Sequence, residues 1–165
     1  RNIILIIEDD NVWDTCISIK RKNYEKYIDQ KHLENSLIEV KDIFRENYQD
    51  QIIMHMIVVD YDKNKNNFLL ENGNKNDGYM FLEINFISIT NNFTFYFDKL
   101  LESHQIKISR YMSYKYIKSH IGEDSTDLSI MANKLNDGLN KNEVQLISKS
   151  IKNRGFFEKF FQLFS

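Results

Sequence analysis

Proline is absent from the 165-residue chain, alanine occurs once, as Ala132, and glycine only five times. The missing proline and alanine, set against abundant Asn, Lys and Ile, point to AT-rich coding rather than to a fold requirement, and they blunt arguments from propensity. None of the glycines stands in a GxGxxG or GxxxxGKS/T arrangement, so no phosphate-cradling loop is expected, and with it no nucleotide site. The single cysteine, Cys16, has no partner for an internal disulfide and falls far short of a structural zinc cluster. A reducing, cytoplasmic compartment is expected. Long apolar runs are missing too: the longest, residues 3–7, has five members, against the ~20 that cross a bilayer. No Lys/Arg-led apolar segment resembles a secretory signal. The one sequon, Asn92-Phe93-Thr94, would matter only in a secreted protein and is read as chance.

What is present is ordinary globular material. Apolar residues make up 42% and charged residues 28%, which excludes wholesale disorder, and the length suits one domain with appendages. The net charge of −2 hides an asymmetry: residues 1–140 carry a balance of −5 and residues 141–165 a balance of +3. An acidic body argues against general nucleic-acid binding, because phosphate contacts need clustered Lys and Arg. A basic tail suits an anionic membrane surface.

Residues 3–7 and 13–19 are β-branched runs flanking the turn formers Glu8, Asp9, Asp10 and Asn11, which reads as a β-hairpin. In the second run Trp13, Thr15, Ile17 and Ile19 share one face, with Asp14, Cys16 and Ser18 on the other. From Lys31 to about Glu46, Leu33, Leu37, Val40 and Phe44 recur at helical spacing. Residues 51–60 are apolar on both faces and read as a strand central in its sheet. After a polar, Asn-rich loop over 62–78, residues 79–90 alternate, with Met80, Leu82, Ile84 and Phe86 inward and Glu83 and Asn85 outward. Asn91 or Asn92 then caps a helix carrying Phe93, Phe97, Leu100, Leu101 and His104, before Ile106 and Ile108 begin a short strand. The order is ββαββαβ. Beyond it come a turn at 122–127, a short helix over 128–135, a breaker at 136–140 and a helix over 142–153 with Val144, Ile147 and Ile151 in register.

Few constellations carry chemistry. His32, His55, His104 and His120 sit in different elements without HxH or HExxH spacing, so no metal is expected. Glu8, Asp9 and Asp10 fall in a turn, where carboxylates are usually solvated, and no base or nucleophile is paired with them by spacing. No catalytic residue and no cofactor is assigned. The stretch Arg110-Tyr111-Met112-Ser113-Tyr114-Lys115-Tyr116-Ile117-Lys118 interleaves aromatic and basic residues, the composition of a base-stacking platform. Tyrosine is frequent throughout the chain, however, and a structural role weighs more.

The C-terminal segment carries the sharpest pattern. On a helix Phe156, Phe157, Phe160, Phe161 and Phe164 form one stripe, with Glu158, Lys159 and Gln162 opposite. A helix so short needs an apolar partner to persist in water. The basic residues Lys152, Arg154 and Lys159 make an anionic bilayer a natural one. The competing reading packs the stripe on the chain's own body or on a dimer partner.

The central stretch resembles the inserted subdomain of FtsA, the bacterial actin-like family that ties the FtsZ ring to the membrane. The opening hairpin over 3–19 resembles that subdomain's first strands, and the stripe around His32-Leu33-Glu34-Asn35 resembles its first helix. Ile53-Met54-His55-Met56-Ile57 is similar to the family's apolar strand carrying His-x-Ile, and Leu82-Glu83-Ile84-Asn85-Phe86-Ile87 to the strand that follows. Phe97-Asp98-Lys99-Leu100-Leu101-Glu102 and then Ile106-Lys107-Ile108 parallel the second helix and returning strand. The family also ends in a short amphipathic membrane-targeting helix behind a variable linker. Val58 stands where the family often has Pro, and the 62–78 loop lacks the family's Pro/Gly pattern. The actin-like subdomains with their phosphate loops are not represented, so ATP binding is not carried over. The family's FtsZ-tail site lies on a subdomain not represented either, so direct FtsZ binding is not expected.

These readings combine into an α+β domain over residues 1–118, a small, mainly antiparallel sheet against two helices, resembling the FtsA inserted interaction domain. A helical linker over 119–154 and an amphipathic membrane-targeting helix over 155–165 follow. The resemblance implies a non-enzymatic division adaptor on the cytoplasmic face of the bacterial inner membrane, contacting other division proteins and itself. Ile4 and Ile6, on the apolar terminal strand, are the expected association residues. The alternative is a soluble accessory subunit contacting RNA or an RNA-processing enzyme through residues 111–118. The lack of an initiating Met suggests a chain excised from a longer one.

Overall fold

The computed structural model of the chain describes residues 1–8, 10–22, 30–62, 79–121 and 127–144. Along it run β1 (Asn2–Ile7), β2 (Trp13–Lys22), α1 (Gln30–Asn47), β3 (Gln51–Asp62), β4 (Tyr79–Thr90), α2 (Asn91–Glu102), β5 (Lys107–Ser113), α3 (Tyr114–Lys118) and α4 (Leu128–Asn136). The fold is α+β, and the ββαββαβ order holds through β5. A three-stranded antiparallel sheet, β2-β4-β3, is accompanied by the parallel pair β1-β5.

The first two strands do not form the expected hairpin. β1 runs parallel to β5, from Asn2 opposite Lys107 to Ile7 opposite Ser113, whereas β2 runs antiparallel to β4, from Trp13 opposite Ser88 to Lys22 opposite Tyr79. Side-chain patterning explains the separation. β1 is apolar without alternation, as a parallel strand covered on both faces requires, while β2 alternates between half-buried Thr15, Ile17 and Ile19 and exposed Asp14, Cys16 and Ser18. A strand with one wet face belongs in the antiparallel sheet.

α1 covers one face of that sheet. Leu33, Leu37, Val40 and Phe44 are buried against Met56, Val58, Leu82, Ile84 and Phe86, as their periodicity predicts. Phe44 stacks on Phe86 with ring centroids 4.6 Å apart and on Tyr48 at 4.9 Å. The strand at the centre is β4, not β3 as both-faced apolarity suggests. β3 lies at the sheet's edge and is apolar on both faces because a second cluster covers its other side. That cluster contains Ile7, Met54, Ile87, Ile89, Met112, Tyr116, Ile117, Met131, Ala132 and Leu135.

α4 is therefore part of the body: three of its side chains close the second cluster, and the folded unit extends beyond Lys118, where a linker is expected. Asp127 caps it by accepting the Ser129 N–H at 2.7 Å. Gly138, at φ 89°, ends it in a left-handed turn closed by Gly138 N–H to Leu135 O (3.0 Å) and Leu139 N–H to Lys134 O (3.0 Å). The chain then returns to β3. The helix expected over 142–153 does not begin there, since Glu143 forms an antiparallel bridge with Ile57. An Asn140 side chain that accepts the Asn142 N–H at 3.0 Å bends the chain into this path. α2 follows Thr90, whose side chain makes no cap bond, rather than a capping asparagine, and only Thr94 on it is buried.

Candidate functional site

A buried polar cluster joins β3, β5, α3 and the segment after α4. Its origin is a bulge in β3. The register with β4 slips between Ile53 and His55, so one extra residue puts both Met54 and His55 on the side away from α1. His55 is buried, and both its ring nitrogens are engaged. The Ser113 main-chain N–H donates to Nε2 at 3.0 Å, which leaves the proton on Nδ1, 2.7 Å from Glu143 Oε1. The ring packs 4.1 Å from that of Tyr116. Ser113 serves twice, since its hydroxyl also caps α3 by accepting the Tyr116 N–H at 3.4 Å.

Glu143 is the hub. Its carboxylate also accepts Arg110 Nη2 at 2.5 Å and the Tyr116 hydroxyl at 2.9 Å. Tyr116 in turn accepts from Asn140 Nδ2 at 2.9 Å, and Arg110 Nη1 reaches Asn136 Oδ1 at 3.4 Å. Burial alone would raise the Glu143 pKa, but the hydrogen bond from His55, the Arg110 charge and the Tyr116 hydroxyl outweigh it and hold the carboxyl below its usual range. Burial pushes the His55 imidazole below its ordinary value, and the Glu143 carboxylate opposes this only in part. The two directions agree: a neutral imidazole donates to an ionised carboxylate. Burial and the same carboxylate raise the Tyr116 phenol, so it remains a donor. With neither nitrogen of His55 free to take a proton without breaking a bond, the geometry is that of a clasp rather than of a general base.

The clasp makes a pH-dependent prediction. In the unfolded chain His55 takes up a proton below about pH 6.5, its ordinary pKa. Folded His55, with its pKa depressed, does not, so stability declines from that pH downward by up to about 1.4 kcal/mol per pH unit for one proton. Glu143 contributes stability that is full above the unfolded carboxyl pKa of about 4.3 and is lost as pH falls through the lower folded value. Urea unfolding at a series of pH values is expected to give a plateau near neutrality and a decline in two stages. In His55→Asn the upper stage should vanish; if it persists, the titrating group lies elsewhere.

The other residues singled out in the sequence fall as follows. Ile4 and Ile6 are half-buried and pack against the second cluster, opposite Arg110 and Met112. Lys152, Arg154, Phe156, Phe157, Lys159, Phe160, Phe161 and Phe164 lie outside the described residues. Two rings of the stretch expected as a possible stacking platform face the body: Tyr111 bonds to Asp98 (2.7 Å) and to Thr94 O (3.0 Å), and Tyr116 serves the clasp. Glu8 and Asp10 line a cleft of about 440 Å3 with Lys115 and Tyr114. Cys16 is exposed, and its thiol is pushed up by partial burial and by Glu83, to which it donates at 3.4 Å. His55 and His120, distant in sequence, both pack on Tyr116. No group of three His, Cys, Asp or Glu that could hold a metal occurs among the described residues. Nor, among them, is any helix long and apolar enough to cross a membrane. On α2, Phe95, Tyr96 and Leu100 are exposed, with Lys99 Nζ 4.2 Å from the Phe95 ring centroid.

Sequence patterning did not single out Glu143, and it read Arg110 and Tyr116 for another purpose. One signal was available: a lone imidazole within the apolar run Ile52-Ile53-Met54-His55-Met56-Ile57 needs a buried polar partner.

Comparison with protein-family models gives no match to this chain, and comparison with curated proteins gives none either.

Proposed function

We propose that the chain is a membrane-tethered adaptor of bacterial cell division, in which a folded body contacts division proteins and itself while the C-terminal phenylalanine stripe holds it at the anionic inner membrane. What supports this reading is the chain order β1 β2 α1 β3 β4 α2 β5. Four of the stretches on which the FtsA resemblance rests fall within elements of the kind they parallel: 32–35 in α1, 53–57 in β3, 82–87 in β4 and 97–102 in α2. The stretch 106–108 enters β5 at Lys107, whereas the opening stretch 3–19 gives two strands in different sheets rather than a hairpin. A shared fold permits many functions, so the reading is tested on the membrane and not on the fold. Because Ile4 and Ile6 pack inward, association through β1 would use its main-chain edge, and their replacement by Lys would also disturb the core.

Vesicle binding is the decisive measurement. Phe160→Asp forfeits about 1.5–3 kcal/mol of burial and adds the cost of desolvating a carboxylate. Cosedimentation of the full chain with anionic vesicles is expected to weaken at least tenfold, each ~1.4 kcal/mol being a factor of ten. Lys152→Gln and Arg154→Gln should each cost about 1 kcal/mol, and only on anionic lipid at low salt. A lowered melting temperature with no change in vesicle binding would instead put the stripe on the protein's own body.

A further inference from the structure

Residues 140–144 lie along the edge of β3 that β4 leaves open. Two main-chain bonds hold them as a short antiparallel strand, Val58 N–H to Asn142 O at 2.9 Å and Val144 N–H to Met56 O at 2.8 Å. Between these bonds Glu143 turns inward and is only 5% exposed. Its three donors come from three other elements, and each is positioned by a group outside the segment. The Ser113 N–H and the β3 bulge fix His55. Strand pairing with Ile4 and the Asn136 amide hold Arg110. The His55 ring and its own helix seat Tyr116, whose hydroxyl also accepts from Asn140 of the segment itself. The carboxylate pocket is thus built by the body, and residues 140–144 enter it as a tethered ligand would: main-chain pairing along a sheet edge, with one side chain read by a pocket. The tether runs through the left-handed Gly138 and then Leu139, a short connection whose dihedrals aim the strand.

We propose that the β3 edge, together with the His55–Arg110–Tyr116 pocket, is a receptor for a glutamate-bearing strand, and that residues 140–144 of a second copy enter it in exchange for the chain's own. The occupant follows from complementarity. This chain's own segment already satisfies two main-chain groups of β3 and all three pocket donors. A second copy presents the same groups, so exchange preserves each contact and leaves the balance to concentration and to the entropy of the connection. With Arg110 and His55 on one carboxylate oxygen and the Tyr116 phenol on the other, the pocket selects Glu over Gln, since Gln would leave the Arg110 guanidinium without a counter-charge and would turn the Tyr116 hydroxyl from donor to acceptor. The inference stands on the described body and owes nothing to the membrane tail; loss of vesicle binding would leave it untouched.

Analytical ultracentrifugation of the full chain tests it, with reductant present because Cys16 is exposed. The wild type is expected to show a monomer–dimer equilibrium that a synthetic peptide spanning residues 138–145 shifts to monomer. The same peptide carrying Gln at position 143 should need at least about tenfold more for the same shift, a loss of one ~1.4 kcal/mol step. In the Glu143→Gln chain the tethered strand competes less well, so the unaltered peptide should bind it at least about tenfold more tightly than it binds the wild type. The peptide arms on the wild type need no variant to fold. A chain that stays monomeric at millimolar concentration, a dimer that the Glu peptide leaves intact, or Glu and Gln peptides that act alike would each overturn the proposal.

Discussion

Glu143→Ala is expected to lower the free energy of unfolding by about 3–5 kcal/mol, the cost typical of removing one partner from a buried ion pair. The size follows from what stays behind. His55, whose side chain is fully buried, keeps a Nδ1–H with no acceptor, and a stranded buried donor costs about 1–3 kcal/mol. The Arg110 guanidinium, whose side chain is 19% exposed, loses its counter-charge, and the Tyr116 hydroxyl loses its acceptor. Arg110 can turn partly to water and His55 cannot, so Arg110→Ala should cost less than Glu143→Ala. Because the groups share one carboxylate, the two losses should fall short of additivity by about 0.5–3 kcal/mol in a double-mutant cycle. Urea denaturation of the three variants measures it, and strict additivity would mean that the clasp does not act as a unit.

The parts of this fold that sequence patterning reaches are those whose cause is local. Leu33, Leu37, Val40 and Phe44 repeat with the pitch of a helix, and Met80, Leu82, Ile84 and Phe86 with the alternation of a strand, and all eight are buried. Pairing between distant strands has no such period. β1 carries no mark saying that β5, some hundred residues on, is its partner rather than β2 across a short turn. β3 reads as central because both its faces are apolar, yet covering by α1 on one side and by the second cluster on the other produces the same pattern at an edge. The clasp lies furthest from reach. His55 and Glu143 are 88 positions apart, and the bulge that aims the imidazole is a property of the β3–β4 register, not of the β3 sequence. Glu143, in turn, stands in an Asn- and Lys-rich stretch that patterning assigns to a breaker and then a helix.

Phe86→Ala, set against Phe95→Ala, separates the face that α1 packs from the outward face of α2. Phe86 is fully buried at the centre of β4 and lies between Met56 and Thr15 in the sheet register, with its ring stacked on Phe44. Truncation there removes a large buried side chain from a site walled by α1 and two strands, none of which can move inward without breaking sheet bonds. The expected loss is about 3–5 kcal/mol, and the stacking with Phe44 places it towards the upper end. Phe95→Ala on α2 is the contrast: that ring is 57% exposed, so its removal should change stability by no more than about 0.5 kcal/mol. In urea titrations the midpoint should fall sharply for Phe86→Ala with an unchanged slope, and should stay put for Phe95→Ala. A large loss at Phe95 would mean that α2 has an apolar partner in solution, such as a second molecule. A small loss at Phe86 would mean that the α1 face tolerates a cavity, against the packing of Phe44 and Tyr48 on the same stack.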